Sequence, residues 1–188
     1  MASGAWREMA GQPTSLWHPA KFRPRAPHPA RLAHLGRQRN NLRMIPSSHH
    51  GRFAGPNRLW FMPGTPAHVS DGALVVSANR VSVQWAHEGA PKEGELVLSG
   101  PAPSCRGDFT DTFHAAAGLV LHGHVQGSAV RLYGTYPAGD GSPDWGWRIV
   151  LEWCDPDHFS FRMFNVLPDG MDALAVDLCG ARAFSAPS

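Results

Sequence analysis

Two seven-residue stretches, Trp147–Trp153 (WRIVLEW) and Phe159–Asn165 (FSFRMFN), constrain this chain of 188 residues more than anything else in it. In the first, Trp147, Ile149, Leu151 and Trp153 occupy every second position; in the second, Phe159, Phe161 and Met163 do the same. A period of two is that of a pleated strand with one face buried, and a helix would need a period near 3.6. Cys154-Asp155-Pro156-Asp157-His158, between them, carries turn chemistry. The pair therefore predicts an antiparallel hairpin with one aromatic wall.

The same grammar recurs from residue 51 onward. Short β-prone runs are expected near Arg58 to Phe61, Ala73 to Ser77, Arg80 to His87, Glu95 to Ser99, Phe109 to His114, Gly118 to Val125, Ala129 to Tyr136, Trp147 to Trp153, Phe159 to Val166 and Ala173 to Arg182. Between them stand Pro63-Gly64, Asp71-Gly72, Gly89-Ala90-Pro91, Gly100-Pro101, Gly127-Ser128, Gly139-Asp140-Gly141 and Pro168-Asp169-Gly170, which close tight turns between antiparallel neighbours. The expectation is an all-β chain folded as an up-and-down antiparallel barrel of about ten strands, since closure leaves no unpaired edge. Parity assigns the faces: Val81, Val83 and Trp85 point inward. Arg148, Glu152, Ser160, Arg162 and Phe164 point outward, with Glu152 placed to meet Arg162 diagonally.

Charge divides the chain into two parts. Residues 1 to 50 hold eight Lys or Arg against the single Glu8, with six prolines, whereas residues 51 to 188 carry a net charge near −5. The first part cannot bury enough apolar surface to offset its ordering entropy, so it is expected to be a disordered basic tail. An organellar targeting segment, a nucleic-acid-binding arm and a plain extension are all compatible with it. Residues 51 to 188 form the one expected domain, of a length that buries a full core. No run of about 20 apolar residues occurs, and no secretory signal pattern, so a cytoplasmic location without membrane contact is expected. Cys105, Cys154 and Cys179 are odd in number and far apart, which suits reduced thiols used in packing.

Few residues suggest chemistry. There is no G-x-S-x-G elbow and no phosphate-binding glycine loop, and the glycine-rich Gly139 to Gly146 reads as a mobile turn at the barrel mouth. His122 and His124 share a strand face with the spacing of a chelating pair, but the apolar residues Leu119, Leu121 and Val125 at the other parity place both outside, and no metal is expected. Asp111 lies on the face of Phe109 and Phe113. It is either a buried polar anchor, which would need a partner, or an edge residue in water, the commoner case. His114 falls on the opposite parity, which argues against the two side chains converging.

Gly51-Arg52-Phe53-Ala54-Gly55-Pro56-Asn57 resembles the G-x-W-x-G motif that opens the first strand of lipocalin-like (calycin) barrels, with Phe53 in place of tryptophan. The runs Asn57 to Gly64, Ser70 to Gly72, Trp85 to Gly89, Asp111 to His114, Asp144 to Ile149, Arg162 to Asn165 and Pro168 to Gly170 resemble a bacterial family of uncharacterised lipocalin-like proteins. The likeness covers about 130 residues from Gly51 onward, and at Phe113 that family more often has tryptophan. It implies a calycin-type barrel with an aromatic at its closed end and no established activity or cofactor. Some calycin barrels that open with a G-x-W-x-G-x-G motif bind haem through a histidine close to the C-terminus; here the last histidine is His158, so haem ligation of that type is not expected.

The function expected from these residues is non-enzymatic binding of a small apolar or amphipathic molecule in the barrel interior. Trp85, Phe113, His114, Trp147, Trp153, Phe161 and Met163 would form the wall, and Asp111, Arg148 or Asn165 would fix orientation. Two alternatives remain: acid/base catalysis by Asp111 and His114 in the same cavity, or a filled barrel with a structural or partner-binding role. Nucleic acid would be met only through the basic tail.

Overall fold

The computed structural model describes residues 43–137 and 143–183. The expected tail (residues 1–42 of it) and the centre of the glycine-rich turn lie outside the described residues. Ten strands follow in order: β1 (Gly51–Leu59), β2 (His68–Val76), β3 (Arg80–His87), β4 (Ala90–Ser99), β5 (Ser104–Asp111), β6 (Leu119–Gln126), β7 (Ala129–Tyr136), β8 (Trp145–Asp155), β9 (His158–Val166) and β10 (Asp172–Arg182). Each pairs antiparallel with the next, and β1 pairs with β10, so the sheet is a closed up-and-down barrel. Among the described residues no helix is long and apolar enough to cross a membrane.

Alternation decides which side chains enter. Phe53, Asn57 and Leu59 of β1, Val81, Val83 and Trp85 of β3, Trp147, Ile149, Leu151 and Trp153 of β8, and Phe159, Phe161, Met163 and Asn165 of β9 are all buried on the inner side. Outside, Glu152 receives Arg162 in an ion pair and Arg131 at 3.7 Å, the diagonal that parity predicts. Leu96, Leu98, Phe109, Leu121, Leu132, Ile149, Leu151 and Phe161 are fully buried and fill the middle of the barrel.

One end is plugged. Residues 43–50, expected in the tail, instead close the barrel there: Met44 and Ile45 are buried, and a 3-10 turn at Ser47–His49 follows. The Ile45 amide donates to the Ala78 carbonyl at 3.0 Å and the Met44 amide to Asn79 Oδ1 at 3.1 Å. The packed unit thus takes in Met44 and Ile45, whose apolar surface the barrel's end covers. Phe53 packs on Phe159 (5.6 Å between ring centres), Phe159 stacks on Trp153 (6.1 Å), and Trp153 meets His49 (5.9 Å). Arg182 of β10 lies over the Phe53 ring at 4.9 Å and donates to the carbonyls of Ser48 (2.7 Å), His50 (2.9 Å) and Pro156.

Four local expectations change, the first being that Asp71-Gly72 closes no turn but lies inside β2, paired with Pro56 and Gly55. β1 runs from Gly51 to Leu59, so the glycine motif lies inside the strand and not before it. β5 stops at Asp111, because that carboxylate accepts from the backbone amides of Phe113, His114 and Ala115 and bends the chain into a turn. Of the three free cysteines only Cys105 is buried, and burial pushes its thiol above its ordinary value; Cys154 and Cys179 are exposed on the outer face and do not pack inside.

Candidate functional site

At the other end, β3, β5 and β8 bring Trp85, Asp111 and Trp147 to the inner face, and the turn after β5 adds Phe113 and His114. Asp111 is buried: the edge position in water does not occur. Its Oδ1 accepts from the amides of Phe113 (2.9 Å), His114 and Ala115 (2.8 Å). Its Oδ2 meets His114 Nδ1 at 2.8 Å. The parity argument against convergence therefore fails, because the strand ends at Asp111 and the turn carries His114 back to the inner side. Burial opposes ionisation of Asp111, but the bonds from His114 and from the backbone outweigh it and hold the carboxyl below its ordinary value.

Gly94 gives Asp111 its place. It pairs with Asp111 across β4 and β5, and a Cβ on it would stand 2.8 Å from the Asp111 Cβ and 3.1 Å from Val83 Cγ1. Trp85 and Trp147 bracket His114, the first stacked at 6.3 Å between ring centres and the second edge-on at 5.3 Å. Phe113 meets His114 edge-on at 4.6 Å. Farther toward the rim, Phe61, His68 and His87 form a cluster 5.0–5.5 Å apart, and His87 touches Phe113 at 5.1 Å. Lys92 places its Nζ 5.5 Å from the Phe113 ring centre.

Four further polar groups face the interior. Asn165 Oδ1 accepts from the Tyr136 hydroxyl at 3.2 Å, and burial pushes that hydroxyl up to about 12, so it stays a donor at ordinary pH. Trp85 Nε1 and Asn57 Oδ1 are buried with no hydrogen-bond partner among the described residues. Such atoms cost about 1–3 kcal/mol each unless water or a ligand meets them.

Of the residues expected to form the wall, Trp85, Asp111, Phe113, His114, Trp147 and Asn165 gather at this end. Phe161 and Met163 are the two middle positions of the β9 inner row, between Phe159 at the plug and Asn165 at this end. Trp153 belongs to the plug, six residues along β8 from Trp147. Arg148 does not face the interior: it stacks on Phe164 at 4.4 Å and pairs with Asp172 at 2.5 Å, both outside. His122 and His124 are exposed, and among the described residues no group of three or more His, Cys, Asp or Glu is arranged to hold a metal. Asn57, Phe61, His68, His87 and Tyr136 were not expected. Parity reaches Asn57 from Phe53 and His87 from Trp85, whereas Phe61 lies in a loop that no period describes.

Two depressions flank this end. One of about 390 Å³ is lined by Trp60, Pro63, Leu167, Met171 and Leu174, and one of about 480 Å³ crosses β3 to β5 between Gln84, Glu93, Glu95, Thr110 and Thr112. Trp85, Trp147, Phe161 and Met163 line neither.

Fold and site together define a class: a closed ten-stranded up-and-down barrel, plugged at one end and walled by aromatic and imidazole rings at the other. Set against models of known protein families the chain matches none, and no curated protein matches its sequence.

Proposed function

We propose that this protein is a lipocalin-like barrel that binds a small apolar or amphipathic molecule at its aromatic end. The observation that carries the reading is the buried, unpartnered Trp85 Nε1 beside the Asp111-held His114, inside an otherwise apolar wall. Pockets for small molecules combine such apolar walls with a few placed polar groups. Because the middle of the barrel is filled, the ligand lies above it, and loading requires the rim rings Phe61 and Phe113, 6.2 Å apart, to move aside. Burial of its apolar surface drives binding at roughly 25 cal/mol per Å².

The 2.8 Å contact of Asp111 with His114 also favours a second reading, in which His114 acts as a general base on a bound substrate. Titration with the apolar fluorophore 1-anilinonaphthalene, followed through the indole N–H signals, tests the binding reading. Saturable shifts are expected at Trp85 and Trp147 and none at Trp153 in the plug. Unmoved signals at Trp85 and Trp147, or an equal response at Trp153, would overturn it.

A further inference from the structure

Oδ1 of Asp111 accepts from backbone amides and Oδ2 accepts from His114, so the imidazole is the group that this carboxylate orients in the wall. An ionised carboxylate can only accept, and Nδ1 of His114 must therefore donate to it. In the neutral ring that assignment leaves Nε2 as a lone-pair acceptor. Nε2 has no hydrogen bond among the described residues, and its ring stands between Trp85, Phe113 and Trp147. The second unfilled polar group of this wall, Trp85 Nε1–H, is a donor and is buried. The wall thus offers one acceptor and one donor among faces suited to a flat ring, which is the complement of a hydroxyl on an aromatic.

We propose that the aromatic end takes a small planar aromatic molecule carrying a hydroxyl group, whose O–H donates to His114 Nε2 while its ring packs among Trp85, Phe113 and Trp147. Trp85 Nε1–H then supplies a donor to an oxygen of the same ligand. The inference rests on the ligand-binding reading and adds the chemical class. A carboxylate ligand is disfavoured because it has no proton to donate to Nε2, and the one cation over these rings among the described residues is Lys92, at the Phe113 face.

The test compares 4-methylphenol, toluene and 4-methylbenzoate, each titrated into the full chain and followed by the Trp85 and Trp147 indole signals. The expected result is that 4-methylphenol binds about tenfold more tightly than toluene, as one additional buried hydrogen bond provides. In His114→Asn the amide nitrogen can keep the bond to Asp111 while the Nε2 acceptor is gone, and the ratio of 4-methylphenol to toluene affinity is expected to fall to about one, whatever the change in toluene affinity itself. The Nε2 nitrogen resonance of the native protein supplies a measurement that does not depend on the variant folding: it is expected to move with 4-methylphenol and to stay with toluene. Equal affinity for the phenol and toluene, an unmoved Nε2 resonance, or tightest binding of 4-methylbenzoate that is lost in Lys92→Met would overturn the hydroxyl assignment and leave the binding reading standing. Failure of all three probes to shift either indole would overturn both.

Discussion

Nδ1 of His114 lies 2.8 Å from Oδ2 of Asp111, although an unbroken strand would send these two positions, three residues apart, to opposite faces. The pair forms because Asp111 ends its own strand: the carboxylate gathers the next amides, and the turn so made returns the imidazole to it. Both side chains are then shielded by Trp85, Phe113 and Trp147.

Asp111→Asn is expected to lower stability by about 2 kcal/mol at pH 7, since a charged acceptor of several bonds is replaced by a neutral one. The loss should depend on pH. Because the folded-state carboxyl is held below its ordinary value, its stabilisation is present above the unfolded value and is lost as pH falls through the folded one. Urea unfolding of both proteins should therefore show a gap that is constant near neutrality and closes below about pH 4.

Gly94→Ala puts a methyl group 2.8 Å from the Asp111 Cβ, closer than such atoms approach. The expected cost is about 1–3 kcal/mol. The His114 ring signals should shift in the same variant, and thermal unfolding with a side-chain NMR spectrum checks both.

A chain beginning at Gly51 is expected to unfold at a much lower midpoint than one beginning at Arg43. Ile45 is fully buried, and Ile45→Ala alone should cost about 2–4 kcal/mol. Equal midpoints for the 43 and 51 starts would show that the plug contributes nothing.

Arg182→Ala removes the donor shared by Ser48, His50 and Pro156 together with the cover on Phe53. About 2 kcal/mol of stability should be lost. Hydrogen exchange locates the effect: the Ile45 amide, bonded to Ala78, is expected to exchange faster, while amides of β8 and β9 change little.

Tyr136→Phe leaves the Asn165 oxygen without its donor in the interior. A loss of about 1 kcal/mol is expected in chemical denaturation.

The ten strands and their inward rows were legible because alternation is a local property: Val81, Val83 and Trp85, or Phe159, Phe161 and Met163, announce one buried face without reference to any other strand. The first strand was read too late because Gly55 and Pro56 look like turn residues. Pro56 is tolerated there because the register with β10 is interrupted between Ala54 and Asn57, and Gly55 because its inner side lies against the Cys179 carbonyl, where a Cβ would stand 2.2 Å away. Arg148 was legible as an outward residue from parity, which excludes it from an interior site; its contacts with Phe164 and Asp172 follow from that face.

What the amino-acid order determined alone was therefore the fold class, the strand count and the side of the sheet each residue takes, since all three depend on near neighbours in the chain. Only the closed barrel decided height along the axis. Trp147 and Trp153 have the same parity on the same strand, yet one joins His114 and the other joins the plug, because their surroundings come from strands far off in sequence. It decided likewise that Met44 and Ile45 are core, since no local pattern marks two apolar residues as a stopper, and that Asp111 and His114 meet, since a turn held by side-chain bonds cancels the periodicity on which any strand reading relies.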